Sequence, residues 1–337
     1  MKSPRPGNDR IAIVLPNRVG DAILSLPLLV CLRNLIENHG PVGRSVTAYS
    51  ATPLAPLFAA VGVAGVLRMG WGARFKSWLS PPDKGFFLIA TSKNFGFHCR
   101  SSYGLRQRNK PLARFTHDLS SLRGEGPAPE LRDFLATNCN LHDYSIAMFG
   151  VVEALGYTPA QVKQSFSFSR DSLPVDRSRF TGAPLVSAPY VLCCMEAAYG
   201  SVKNNADRRW NPEHFLLLAE RLRRQHCTVV FIGLDREPPV PQLEGFLDLR
   251  GRLSLWQLFQ LMVDAAGSLG NDTGPLHLAN LAGIPSVGIY ARDDIRYPLF
   301  DELNTVLLRP DGPEDVYPLL CLMLGLQAVQ GARDGVA

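Results

Sequence analysis

Seven cysteines are an odd number, and no two of them stand in a C-x-x-C pair. Cys31, Cys99, Cys139, Cys193, Cys194, Cys227 and Cys321 lie mostly in apolar runs. That pattern argues against a disulfide frame and a zinc site, and reads as reduced core thiols of a cytosolic protein. Long apolar runs are also scarce. Residues 23–32 (AILSLPLLVC) contain a proline and closely follow Asp21, where a bilayer span needs about 20 apolar residues in a row. The opening MKSPRPGNDR has no apolar stretch and the IAIVLP after it is short, so no secretion signal is expected. No G-x-G-x-x-G follows the first strand pattern, which counts against a dinucleotide-binding oxidoreductase. Neither an internal repeat nor a low-complexity tract occurs.

What is present is 337 residues, 46% hydrophobic and 19% charged. That mix buries a sizeable core, and the length suggests two domains, because single cores rarely grow past about 250 residues. Short β-branched runs alternate with helical patterns. Strands are expected at Ile11–Leu15, Ser45–Ser50, Phe86–Thr91, Tyr190–Met195, Thr228–Gly233, Gly267–Gly270 and Ser286–Tyr290. Helices are expected from about Asp21 to Asn38 and at Pro212–Gln225, Ser254–Ala265 and Pro275–Gly283. Such alternation implies α/β architecture, with parallel sheets covered by helices on both faces. The stretch 169–189 is rich in proline, serine and charge and lacks periodicity. The division is therefore a domain at 1–175, a linker at 176–189 and a domain at 190–337, whose last helix is free to pack back on the first domain. Two Rossmann-like domains with parallel sheets facing a central cleft follow, and ligands are expected beyond the carboxyl ends of the strands. Segment 105–140 is poorly patterned and reads as a loop excursion.

Four segments carry chemistry. In LPNRVGDAILSLP, residues 15–27, a strand ends, Gly20 allows a tight turn and Asp21 opens a helix. Asp21 reads either as a helix cap or as a general base that takes a proton from an attacking hydroxyl. Capping hydrogen bonds would stabilise the carboxylate and weaken it as a base. In residues 268–290 a strand leads through Asn271-Asp272-Thr273-Gly274-Pro275 into a helix bearing His277. Pro275 suits a first turn, Gly274 admits a close ligand, and the free N–H groups form a phosphate site. The alternative is an ordinary turn capped by Asp272 or Thr273, with His277 a packing residue. Before the next helix pattern, Arg208 and Arg209 precede Trp210 and Pro212, with Lys203 upstream. They read as a diphosphate clamp or as a basic loop in solvent. In FIGLDREPP, residues 231–239, Asp235 or Glu237 reads as a ligand for ribose hydroxyls or as a solvated loop residue. The formal net charge of +5 is concentrated: Lys93, Arg100, Arg106, Arg108, Lys110 and Arg114 are not interrupted by any acid. That stretch is either a solvated face or a surface for an anionic partner, phosphorylated glycolipid or nucleic acid.

Together these segments resemble the ADP-heptose:lipopolysaccharide heptosyltransferases, and heptosyltransferase II in particular. Residues 17–28 (NRVGDAILSLPL) are similar to that family's S-x-x-G-D…L-x-x-P-x-L, with Asn17 in place of serine. RRWNPEHF at 208–215 resembles K-R-W-P-x-x-x-F, and GNDTGPLHLA at 270–279 resembles S-N-D-S/T-G-P-x-H-L-A. LRGRLSLWQLFQLMVDA and residues 142–156 resemble further family segments, so the likeness runs from about 11 to 325. The resemblance implies a GT-B fold and an inverting, metal-independent transfer of heptose from ADP-L-glycero-β-D-manno-heptose to an inner-core lipopolysaccharide acceptor. No D-x-D triplet occurs, in keeping with that. It implies Asp21 as the catalytic base, and Thr273 and Gly274 as backbone donors to the diphosphate. Asp272 and His277 would hold heptose hydroxyls or order the loop, and Arg208 would replace a phosphate-binding lysine. Lys93, Arg100 and Arg106 would meet the acceptor, an anionic glycolipid or glycan rather than nucleic acid. No cofactor or metal is implied beyond the nucleotide-sugar donor, and the place of action is the cytoplasm, peripherally on the inner membrane. Residues 196–210 (EAAYGSVKNNADRRW) are longer than the family's G-A-x-x-G-P-x-K-R-W, which bears on the identity of the donor more than on fold or reaction type; the alternatives are another nucleotide sugar, a small-molecule acceptor or a non-catalytic binding relative.

Overall fold

The structure, a computed structural model, describes residues 10–16, 18–40, 45–50, 53–63, 65–68, 84–87, 106–107, 110–111, 127–180, 186, 189–197, 208–291 and 297–326. The chain divides into two compact units, Met1–Arg179 and Phe180–Ala337, and the division falls within the stretch read as linker. A short 3-10 turn, Arg177–Arg179, ends the first unit.

In the first unit, β1 (Arg10–Val14) lies between β2 (Ser45–Ser50) and β4 (Lys84–Phe87), with β3 (Val66–Arg68) outside β2. All these pairs are parallel, and Ile13 of β1 stands opposite Ala48 and Phe86. The strand expected at Phe86–Thr91 thus begins two residues earlier, and residues 88–91 lie outside the described residues. The single helix expected after β1 is two helices, α1 (Val19–Ile23) and α2 (Leu26–His39). The break has a local cause. Pro27 has no N–H to give the carbonyl of Ile23, and its fixed φ suits the first turn of a new helix. The buried hydroxyl of Ser145 donates to the Leu24 carbonyl at 2.9 Å, and the Ser25 hydroxyl donates to that of Ala22 at 2.6 Å. The Leu24 and Ala22 carbonyls beside the break are therefore satisfied.

By length and composition Val19–His39 is apolar enough to cross a membrane, which corrects the reading taken from residues 23–32 alone. Yet 83% of its most apolar window is buried inside the unit, where Leu28, Leu32 and Leu35 are core residues. Two further helices bear on the stretch read as unpatterned: α3 (Ala55–Ala60) precedes it, whereas α4 (Pro129–Thr137) lies within it and corrects that reading. The helix α4 starts on Pro129 and turns only Leu131 and Leu135 fully inward, too sparse an apolar stripe to stand out. After α5 (Asp143–Ala147) and α6 (Gly150–Ala154), α7 (Pro159–Ser165) opens on a reciprocal Thr158–Gln161 capping box. It packs on α2, where Asn34 Nδ2 donates to the Ser165 carbonyl at 3.0 Å.

The second unit is a six-stranded parallel sheet. Its strands are β7 (Tyr190–Cys194), β8 (Thr228–Phe231), β9 (Phe246–Asp248), β10 (Gly267–Asn271), β11 (Ser286–Tyr290) and β12 (Asn304–Leu308). Their order is β12-β11-β10-β7-β8-β9. Every residue of β7, β10 and β11 is buried, as expected of strands covered on both faces. The helices are α8 (Pro212–Arg224), capped by Asn211, α9 (Leu255–Val263), with a Ser254–Gln257 capping box, α10 (Gly274–Ala282) and α11 (Pro313–Leu324). Trp210 stands outside α8, buried against Phe215, with its indole N–H on the Pro310 carbonyl at 2.8 Å. The last helix, α11, packs on α8 and β11 within its own unit through Val316, Tyr317, Leu320 and Cys321. The chain winds outward from β7 to β9, then returns and winds the other way from β10 to β12. The switch point lies between β7 and β10, where a doubly wound sheet opens a crevice at its carboxyl edge. The short β5 (Arg106–Gln107) and β6 (Lys110–Pro111) form a separate antiparallel pair in the first unit.

Candidate functional site

At the switch point of the second unit, β7 runs into Met195, Glu196 and Ala197, and β10 runs into Asp272 and Thr273 before α10 begins. The two ends are tied by Asn271, which is fully buried. Its Nδ2 donates to the Met195 carbonyl at 2.9 Å and lies 3.4 Å from that of Glu196, while its Oδ1 accepts the Trp210 N–H at 3.0 Å. One side chain thus joins two strand ends and the loop before α8. By sequence alone, Asn271 is only part of the turn. A buried amide at a strand end is the signal that marks it, since such a group has to find several partners.

Arg208 comes into the site from that loop. Its Nη2 donates to Oδ2 of Asp272, and the two side chains are 9% and 8% exposed. His277 Nε2 lies 3.7 Å from the other oxygen, Oδ1, and the imidazole is 4% exposed. Its Nδ1 is buried without a hydrogen-bond partner among the described residues. The N-cap of α10 is Thr273, whose side chain does not cap the helix and instead donates to the Asn271 carbonyl at 3.2 Å. The capping alternative for Thr273 therefore fails. Pro275 occupies the first turn and Gly283, at φ +82°, closes the helix in the left-handed region, as the motif requires. The Asp272 carboxylate, the Arg208 guanidinium and the His277 ring converge at the positive end of a nine-residue helix.

Neighbouring β8 ends in a turn that carries Asp235. Asp235 Oδ1 accepts the Glu237 N–H at 3.1 Å, and Oδ2 is buried without a hydrogen-bond partner among the described residues. Glu237 is exposed, and its carbonyl accepts Arg209 Nη2 at 2.8 Å. Of the two arginines read as a clamp, Arg208 faces the site and Arg209 braces this turn. Arg250, 3% exposed, donates from two nitrogens to both oxygens of Asp248 at 2.9 Å and from Nη1 to the Pro238 carbonyl at 2.9 Å. The hydrogen bond from Arg250 holds the Asp248 carboxyl below the usual carboxylate range.

In the first unit, Asp21 lies beyond the carboxyl end of β1 with its side chain 3% exposed. It is the third residue of α1, whose N-cap is Arg18, so Asp21 is an acid in the first turn and not the cap. Arg18 Nη1 is 4.0 Å from Asp21 Oδ2. Lys203, Lys93 and Arg100 lie outside the described residues. For Arg106 only the backbone, in β5, is described. Among the described residues no group of three or more His, Cys, Asp or Glu side chains gathers as a metal site.

Residues 143–313 match the model of glycosyltransferase family 9 (heptosyltransferase). A curated relative, lipooligosaccharide heptosyltransferase 2 of Haemophilus influenzae, is 27% identical over 138 residues. That alignment spans 37% of this chain and 38% of the relative. Among solved structures, the E. coli ADP-heptose lipopolysaccharide heptosyltransferase II superposes with a TM-score of 0.59 at 19% identity, covering 94% of this chain and 98% of that one. E. coli heptosyltransferase WaaC with ADP gives 0.57 at 15% identity, covering 92% and 96%. A family 9 glycosyltransferase from Veillonella parvula gives 0.58 at 17% identity, covering 95% and 92%. At these identities the likeness is one of fold, and the fold is GT-B, built of parallel-sheet α/β units.

Proposed function

From the membership of this chain in glycosyltransferase family 9, the heptosyltransferase family, we propose that it moves a heptose from an ADP-heptose donor to a hydroxyl of an inner-core lipopolysaccharide or related glycan. The observation that carries the reading is the convergence of Arg208, Asp272 and His277 on the start of α10 at the switch point of the second unit. A diphosphate is met there by helix N–H groups and a guanidinium, both aimed where negative charge grows as the sugar departs. Lys203 adds a second cation on this reading, Asp272 and His277 take sugar hydroxyls, and Asp235 takes the nucleotide ribose.

Asp21 removes the proton of the acceptor hydroxyl. The acceptor oxygen forms its bond to the anomeric carbon as the bond from that carbon to the diphosphate breaks, and ADP leaves from the opposite face with inversion. The charge stabilisation on this route comes from side chains and a helix terminus, so no metal is needed. The acceptor is an anionic glycolipid or glycan steered by Lys93, Arg100 and Arg106, and the enzyme works on the cytoplasmic side, against the inner membrane. A second reading keeps fold and reaction but changes the donor sugar, and the length of the 196–210 sequence, which includes Arg208, favours testing it.

Transfer assays with ADP-, UDP- and GDP-sugars, with and without chelator, decide between these readings. Transfer from ADP-heptose that persists in chelator is the expected result. Turnover only with another nucleotide sugar supports the second reading, dependence on added divalent metal removes the metal-free route, and nucleotide binding without any transfer marks a non-catalytic relative.

A further inference from the structure

Glu196 belongs to neither the helix terminus nor the arginine pair, yet its carboxylate is buried at 7% exposure two residues past β7. Its Oε2 accepts two backbone N–H groups, from Leu234 at 2.7 Å and from Asp235 at 2.9 Å. Both belong to the turn that follows β8. The preceding residue, Gly233, has φ +127°, and a Cβ placed there would stand 2.9 Å from the Glu196 carboxyl carbon. The carboxylate fills the space that any other residue at 233 would need. Hydrogen bonds to an ionised acceptor are among the stronger ones, and two of them offset the cost of burying the charge. Arg209 and Arg250 fasten the far side of the turn through the carbonyls of Glu237 and Pro238. The result is a rigid turn in which one oxygen of Asp235 is used internally and the other, Oδ2, is buried with no hydrogen-bond partner among the described residues.

We propose that Glu196 is a positioning residue for nucleotide recognition: it locks the Gly233–Asp235 turn so that Asp235 Oδ2 accepts from the vicinal hydroxyls of a ribose. A carboxylate oxygen accepts and never donates, so its ligand must carry a donor, and the carboxylates of Asp235 and Glu196 at this turn repel a phosphate. A neutral diol meets both conditions. The inference rests on the nucleotide-donor reading above.

Calorimetric titration of the full-length protein with ADP, GDP and UDP and their 2′,3′-dideoxy counterparts tests it. Wild type is expected to prefer the ribose forms by about tenfold to a hundredfold, the worth of hydrogen bonds to a charged acceptor. Asp235→Asn and Glu196→Ala should each bring that ratio towards unity, and the double variant should lower it no further. Glu196→Gln keeps an acceptor oxygen and should retain most of the preference. Glu196→Asp falls short of the two N–H groups and should lose it, which serves where Glu196→Ala does not fold. A residue that merely supported the fold would weaken ribose and dideoxy forms alike and leave the ratio intact. An unchanged ratio in Glu196→Ala or Glu196→Asp, or a wild type indifferent to the ribose hydroxyls, overturns the inference alone. Failure of every diphosphate to bind overturns the donor reading and the inference with it.

Discussion

Arg208 and Asp272 form an ion pair whose side chains are each more than nine-tenths buried, although 64 positions separate them in the chain. Taking two charges out of water is costly, and removing one partner of such a pair leaves the other uncompensated, at about 3–5 kcal/mol. Arg208→Met and Asp272→Leu should each lower the stability of the second unit by roughly that amount in urea unfolding. The double variant Arg208→Met/Asp272→Leu should recover most of it, because two apolar groups of similar volume need no pairing. If the pair also serves a diphosphate, the double variant should still bind ADP weakly. Wild-type affinity in that variant would leave the pair a packing device.

Asn271 is the second point of stress. Its amide holds the Met195 carbonyl and the Trp210 N–H, so it keeps the loop carrying Arg208 in register with the strand end carrying Asp272. Asn271→Ala would leave buried backbone groups unsatisfied, each at about 1–3 kcal/mol. Loss of roughly 2–5 kcal/mol is expected. Asn271→Asp should also fail, since an ionised carboxylate cannot donate to the Met195 carbonyl. Equal stability of either variant to wild type, read by denaturant midpoint, would show that water replaces the amide.

Much of this fold was legible because the second unit keeps each local signal simple. YVLCC and SVGIY are buried strands that read as continuous apolar runs, and Pro275 and Gly283 bracket α10 where motif chemistry puts them. The first unit was less legible where two signals compete. Apolar periodicity runs straight across Leu24–Ser25, and only Pro27 reveals the break. At the site, Asp272, Thr273 and Arg208 stand in motifs that point to their chemistry, whereas Glu196 and the bridging role of Asn271 could not be picked out. Their roles depend on partners 38 and 61 positions away, Leu234 and Trp210, and no local spacing encodes such a pairing. The same holds for Arg250, which looks like a surface residue until Asp248 and Pro238 close over it.

The fully buried thiols among the described residues should be inert in the native protein. Burial pushes the Cys194 thiol up to about 12, with the Glu196 carboxylate adding to the shift, and burial pushes Cys31 up to about 12 and Cys139 to about 11. Only the thiolate attacks alkylating reagents, so a raised value means a small reactive fraction at neutral pH. Iodoacetamide at pH 8 should leave Cys31, Cys193 and Cys194 unmodified until denaturant is added, while the half-buried Cys139 reacts slowly. Mass mapping of the labelled peptides reads the result. Rapid native labelling of Cys194 would mean that the strand end beside Thr273 opens.

Asp21 offers the sharpest separation of chemistry from structure. It is 3% exposed, in the first turn of a five-residue helix, with Arg18 Nη1 at 4.0 Å. An acid so placed also complements the helix dipole, so a loss of activity by itself would not assign its role. Asp21→Asn keeps the shape and removes the base. Transfer should fall by about 10²–10⁴-fold, the usual contribution of a general base, with ADP affinity unchanged. Arg18→Met removes the ion-pair partner and leaves the carboxylate in place. If Asp21 is the base, Arg18→Met should retain turnover far above that of Asp21→Asn. Equal losses in the two variants would trace the effect to the Arg18 pairing, and near-normal turnover in Asp21→Asn would leave Asp21 a structural acid of α1.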